Sequence, residues 1–186
     1  VISYLNQKNY FKAEQYLKNS LLKLDSAELN YFLGNTYKIQ DKNLEAIDAY
    51  KKSISLKSDY SEAYNNLANV QKKIGILDDA SSNYLNAINC KKNNIEAYYN
   101  LANLQKSQKK YAEAIKNYKK VIKLNSNFAD AYNNIGTINS ILGKFEEAKK
   151  FFVKAIEINN LFSEPYKNYV QSTNIEENDK IFNNLL

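Results

Sequence analysis

Ala63-Tyr64-Asn65-Asn66-Leu67, Ala97-Tyr98-Tyr99-Asn100-Leu101 and Ala131-Tyr132-Asn133-Asn134-Ile135 are near copies of one pentapeptide, set 34 residues apart. Leu29-Asn30-Tyr31-Phe32-Leu33 before them and Pro165-Tyr166-Lys167-Asn168-Tyr169 after them are divergent versions in the same register. Working outward, an alanine stands 16 residues past the second position of the first four copies: Ala46, Ala80, Ala114, Ala148. Four residues on comes an aromatic (Tyr50, Tyr84, Tyr118, Phe152), and four beyond that an isoleucine (Ile54, Ile88, Ile122, Ile156). A fixed period of this length predicts a solenoid of stacked units.

Columns are counted from Ala27, Ser61, Ile95, Ala129 and Ser163. Columns 4, 7, 8 and 11 carry apolar or small residues, as in Tyr98, Leu101 and Ala102, and at 100° per residue they share one face of a helix. Columns 17, 20, 24, 27, 28 and 30 give a second amphipathic helix, as in Tyr111, Ala114, Tyr118, Val121, Ile122 and Leu124. The spacing predicts helix pairs over 28–40/43–57, 62–74/77–91, 96–108/111–125 and 130–142/145–159. Small residues at column 8 (Gly34, Ala68, Ala102, Gly136) and column 20 let the paired helices approach, while aromatics fill the space between neighbours. No single unit can bury these faces, so stacking must supply the core. Gly75 and Gly143 fall where the first helix ends, as left-handed C-terminal residues would; Asp41 and Lys109 hold that place in the other two units. Asp78-Asp79, Glu146-Glu147 and Glu176-Glu177 read as helix starts, and Pro165 as a first-turn proline.

These columns resemble the tetratricopeptide repeat, a helix–turn–helix unit. The resemblance implies an all-α, right-handed α-solenoid covering the chain almost end to end. Full repeats are expected at 27–60, 61–94, 95–128 and 129–162, a truncated one at 1–26, and a half repeat with a terminal capping helix at 163–186. The usual proline after the second helix is replaced by Ser58, Lys92, Ser126 and Asn160. The Tyr-x-Asn-Leu-Gly/Ala-Asn run is most similar to the repeats of O-linked N-acetylglucosamine transferase and of bacterial transferases fused to such arrays. The resemblance implies a non-catalytic scaffold that binds an extended peptide or a helix in a concave groove. The alternative is a substrate-recruiting or dimerising arm of a larger glycosyl-, sulfo- or methyltransferase.

Composition narrows the function further. The chain has 26 lysines, no arginine and no histidine, so the usual general base and the commonest metal ligand are missing. Four glycines form no phosphate-binding loop, and one cysteine makes neither a disulfide nor a cysteine cluster. No catalytic, cofactor or metal site and no small-molecule substrate is expected; the segment is not an enzyme. The net charge of +6 comes from lysines, many of them on the second helices and their ends, a solvated face without arginine forks, which argues against nucleic acid. No stretch is apolar enough to span a bilayer, so no membrane partner and a cytoplasmic location are expected; the true N-terminus is expected to lie upstream of this segment, which leaves a signal peptide open. Cys90, at column 30, reads as a small buried packing residue.

The expected partner is a protein or peptide, with a second copy of the chain also possible. Columns 2, 6, 9 and 13 fall opposite the packed face of the first helix. In the family the first helices line the groove, so column 6 (Asn66, Asn100, Asn134, Asn168) and column 9 (Asn35, Asn69, Asn103) would form a ladder of amides along it. An amide offers a donor and an acceptor, matching a peptide unit whatever its side chain. Asparagine makes up 29 of the 186 residues, and duplication copies residues regardless of use, so codon bias is the competing origin of the ladder. Column 2 is acidic throughout (Glu28, Glu62, Glu96, Asp130, Glu164), as suits a first helical turn.

Overall fold

A computed structural model describes residues 9–161 and 163–172. They form ten helices and no strand: α1 (Tyr10–Leu21), α2 (Ala27–Ile39), α3 (Asn43–Leu56), α4 (Ser61–Lys73), α5 (Leu77–Cys90), α6 (Ile95–Ser107), α7 (Tyr111–Leu124), α8 (Ala129–Ile141), α9 (Phe145–Ile158) and α10 (Ser163–Ser172). The helix pairs expected from the columns are present, with bounds within one residue of expectation. The architecture is an all-α solenoid of repeated helix pairs. Residues 175–186, where a capping helix and the Glu176-Glu177 pair were expected, lie outside the described residues, as do residues 1–8. The chain divides into two compact units, 1–100 and 101–186, with the boundary inside α6.

The first helices α2, α4, α6 and α8 each end on one left-handed residue. Gly75 (φ 84°) and Gly143 (φ 72°) meet that need freely, while Asp41 (φ 58°) and Lys109 (φ 59°) adopt it without being glycine. The next residue closes a six-residue loop back onto the helix. Lys42 N–H donates to Tyr37 O (3.0 Å), and Ile76 to Gln71, Lys110 to Gln105 and Lys144 to Asn139 (each 2.9 Å). These bonds satisfy carbonyls that a helix end leaves open. The second helices stop equally sharply without the family's proline. Their caps, Lys57, Lys91, Asn125 and Asn159, are all extended (φ −141° to −144°).

Within unit 1, α2 packs on α3, α3 on α4 and α4 on α5, with α1 against α2; within unit 2, α7 packs on α8, α8 on α9 and α9 on α10. The column-20 alanines and the column-24 aromatics Tyr50, Tyr84, Tyr118 and Phe152 are all fully buried. Gly34 allows the closest approach: a Cβ there would sit 2.6 Å from a Tyr50 ring carbon, and Gly136 stands in the same relation to Phe152. Pro165 is buried in the first turn of α10.

Two expectations need correction. The packed surface of the first helix is wider than columns 4, 7, 8 and 11. Columns 3 (Ala63, Ala97, Ala131) and 10 (Thr36, Val70, Leu104, Ile138) are also buried, whereas the column-4 tyrosines are half-buried. A first helix inside a stack meets its own partner and its neighbours, so one apolar stripe cannot describe it. Cys90 is half-buried, its Sγ 3.7 Å from Ser58 O, because column 30 lies at the rim where Leu56 is exposed too. Burial pushes its thiol pKa up, the opposite of what a reactive cysteine needs.

Candidate peptide-binding groove

The column-9 asparagines are fixed by buried tyrosines. Tyr50 OH donates to Asn35 Oδ1 (2.7 Å), Tyr84 OH to Asn69 Oδ1 (2.6 Å) and Tyr118 OH to Asn103 Oδ1 (2.6 Å). Burial pushes the pKa of Tyr50 and Tyr84 far up, so these phenols keep their protons and donate. The fourth repeat lacks the pair altogether. Phe152 has no hydroxyl, and opposite it stands Thr137, whose own hydroxyl donates to Asn133 O (2.9 Å). Asparagine at column 9 therefore accompanies tyrosine at column 24, and both change together. The sequence carried this signal as a covariation among the repeats of one chain.

The column-6 asparagines reach back one repeat. Asn66 Nδ2 donates to Asn35 Oδ1 (2.8 Å) and to Tyr31 OH (3.2 Å). Asn100 Nδ2 donates to Asn65 Oδ1 (3.2 Å), and in unit 2 Asn168 Nδ2 donates to Asn133 Oδ1 (3.0 Å). The acceptors Asn65 and Asn133, at column 5, are almost completely buried, and Asn65 Nδ2 also donates to Glu96 (2.9 Å). Column 5 does not stand out in the sequence because it alternates, Tyr31, Asn65, Tyr99, Asn133 and then Lys167, with no single residue type throughout. The spacing of 35 residues between partners, one more than the repeat, was the available signal.

The seven expected groove residues thus fall into two groups. In unit 1 the structure brings Asn35, Asn66, Asn69 and Asn100 to one face of α2, α4 and α6, all half-buried. In unit 2 Asn103 and Asn168 are half-buried, but Asn134 is buried beneath Lys106, whose amine donates to its Oδ1. Asn134 is therefore not the open rung that the columns suggested. The bonds above leave Oδ1 of Asn66, Asn100 and Asn168, and Nδ2 of Asn35, Asn69 and Asn103, without a partner among the described residues. Column 6 offers acceptors and column 9 offers donors.

Charge frames the amides. The column-2 acids Glu28, Glu62 and Glu96 are exposed at the N-terminal ends of α2, α4 and α6. Glu28 faces Lys57 (3.8 Å) and Glu62 faces Lys91 (3.3 Å). Ten residues further along each helix stands a half-buried lysine, Lys38, Lys72 or Lys106, which the sequence columns did not single out. Burial lowers the pKa of Lys38 while Glu96 opposes it; burial lowers that of Lys106 while Glu164 opposes it. A cleft of about 170 Å³ opens between Glu62 and Glu96, walled by Tyr31 and Asn66. Among the described residues no group of metal-ligating side chains gathers, and no helix is long and apolar enough to cross a membrane.

Helix pairs at a 34-residue period, closed by a left-handed residue, define a helical-repeat scaffold. The chain belongs to the tetratricopeptide repeat family: one model of that repeat matches residues 95–128 and 129–160 and a second matches 34–75, together more than half of the chain. Among solved structures it is similar to MamA, at 28% identity over 85% of this chain and 93% of that one, with a TM-score of 0.81. It also shares its fold with YrrB, described as a TPR protein with an unusual peptide-binding site (21% identity, 88% and 85% covered, TM-score 0.75). A tetratricopeptide repeat protein from Parabacteroides merdae has the same fold (19% identity, 92% and 68% covered, TM-score 0.81). No curated protein matches the sequence.

Proposed function

We propose that this chain is a non-catalytic scaffold whose first helices hold an extended partner peptide by its backbone. The observation that carries the reading is the division of labour within each amide. In unit 1 one half of each column-6 and column-9 asparagine is committed to the fold, and the other half has no partner among the described residues. Codon bias would explain the asparagines but not the alternation of acceptors at column 6 with donors at column 9. An extended peptide presents N–H and C=O groups in alternation, so its backbone complements such a row. Each bond contributes about 0.5–1.5 kcal/mol net, so the amides of one unit alone give millimolar to high-micromolar binding at best. Side-chain contacts or avidity must add the rest. The transferase-arm alternative rests on the resemblance of the Tyr-x-Asn-Leu-Gly/Ala-Asn run and uses the same groove.

The test separates the two halves of the amide. Asn69→Asp and Asn103→Asp each keep an oxygen to accept from Tyr84 or Tyr118, while the outward donor becomes an acceptor. With an end-blocked (Ser-Thr)4 peptide as probe, followed by side-chain amide NMR shifts, we expect binding to the parent protein and its loss in the double variant at unchanged helicity. Equal binding by both proteins sinks the reading.

A further inference from the structure

We propose that the groove of unit 1 selects an extended peptide in which cationic and anionic residues alternate. The inference rests on the preceding reading, that the amide rungs hold a peptide backbone, and it names the side chains that backbone carries. The rungs Asn35, Asn66, Asn69 and Asn100 run between two edges of opposite sign. Glu28, Glu62 and Glu96 mark the edge at the helix N-termini, and Lys38 and Lys72 the other. Ten residues of helix separate the edges, about 15 Å at the α-helical rise, and a strand with one long side chain on either flank fills that width.

An extended chain points successive side chains to opposite sides. Held along the rungs, it therefore sends every odd residue to one edge and every even residue to the other. Alternating lysine and glutamate would place all cations against the acids and all anions against the lysines. Any other order of the same residues puts like charges together. Length can be matched as well. Three neighbouring first helices span roughly 20 Å, and the four same-side residues of an octapeptide span about the same. The existing pairs Glu28–Lys57 and Glu62–Lys91 are solvent-exposed, and pairs of this kind exchange partners at little cost. The cleft between Glu62 and Glu96 is also lined by Lys91, so an incoming ammonium group would sit between the two carboxylates by displacing Lys91 from its exposed pair with Glu62. Its amide donors are already spent: Asn65 Nδ2 on Glu96, and Asn66 Nδ2 on Asn35 and Tyr31.

Three end-blocked octapeptides test this at about 150 mM salt: (Lys-Glu)4, (Lys-Lys-Glu-Glu)2 and (Ser-Thr)4. The first two have the same composition and differ only in the period of charge. We expect (Lys-Glu)4 to bind about fivefold or more tighter than either of the others, the product of several exposed pairs each contributing well under tenfold. Lys38→Gln with Lys72→Gln should bring the ratio of the two charged peptides close to one, whereas Lys51→Gln, on the exposed side of α3, should leave it. A circular-dichroism melt checks that each variant folds. Equal binding of the two charged peptides overturns the inference, because the groove then does not read charge order. Binding of (Ser-Thr)4 as tight as that of (Lys-Glu)4 also overturns it and leaves the backbone ladder standing. If none of the three binds, the ladder falls too.

Discussion

At the scale of single residues, the pair Asn69–Tyr84 explains why an amide sits inside a helix that an alanine would suit better. Asparagine is a mediocre helix former, and its Oδ1 is the acceptor for a hydroxyl that burial would otherwise leave unmatched. Tyr84→Phe should destabilise the protein by about 1 kcal/mol, and adding Asn69→Thr should recover part of that, since Thr137 with Phe152 is the chain's own version of the change. A double-mutant cycle by urea denaturation reads the coupling; strictly additive effects would dissolve the pair. Lys109 supplies a stabilising counterpart. An L-residue held at φ 59° costs about 1–2 kcal/mol there, partly offset by the chain entropy that glycine loses. Lys109→Gly should therefore raise stability by about 0.5–1 kcal/mol, and a melting temperature that stays put or falls would contradict it. The left-handed position was legible in the sequence because Gly75 and Gly143 mark it. The use of column 9 was not, since the column was read alone and its partner stands fifteen residues away on the next helix.

Among the elements, α1 shows how one carboxylate can dock a helix. Glu14 is buried, and it takes bonds from Lys18 (2.7 Å), Lys42 (2.8 Å) and Gln40 (3.2 Å), the last two from the turn after α2 and its cap. Burial alone would raise its pKa, but the bonds from Lys18, Lys42 and Gln40 outweigh it and bring the carboxyl from 4.5 down to about 2. The folded chain holds that proton less tightly than the unfolded one. Its stabilisation is present in full above about pH 4.5 and fades as pH falls towards 2. The effect is on the order of 2–3 kcal/mol and local to α1. Hydrogen exchange should show α1 losing protection first on acidification, and Glu14→Gln should abolish the pH dependence there while weakening α1 at neutral pH. A uniform loss across all helices would contradict this. The helix pairs themselves make a simpler case. Ala114 is fully buried where α6 and α7 pair, so Ala114→Leu should overpack the site and lower stability by about 1–3 kcal/mol, measured by thermal melt. Period and column chemistry set where helices start and stop because each helix repeats its own local signals. The breadth of the buried surface on the first helices was hidden, since it depends on neighbours that are not adjacent in sequence.

For the whole molecule, nearest-neighbour stacking spreads stability over many similar interfaces. Anything that binds the folded rungs then stabilises the chain by mass action: a peptide at ten times its Kd adds about 1.4 kcal/mol. Saturating (Lys-Glu)4 should raise the melting temperature where (Lys-Lys-Glu-Glu)2 at the same concentration raises it less, and identical shifts would point to a nonspecific salt effect. The direction of the two sets of amide bonds has a different kind of consequence. The column-9 bond closes within one repeat, whereas the column-6 bond joins a repeat to the one before it. A gene duplication or crossover that cuts between repeats carries every tyrosine–asparagine pair intact and asks only that column 5 find an acceptor for its new neighbour, a post filled equally by Tyr31, Asn65 and Asn133. Repeats are thus interchangeable parts with a tolerant coupling, and this lineage could lengthen, shorten or reorder its array by recombination while losing little of what holds each part together.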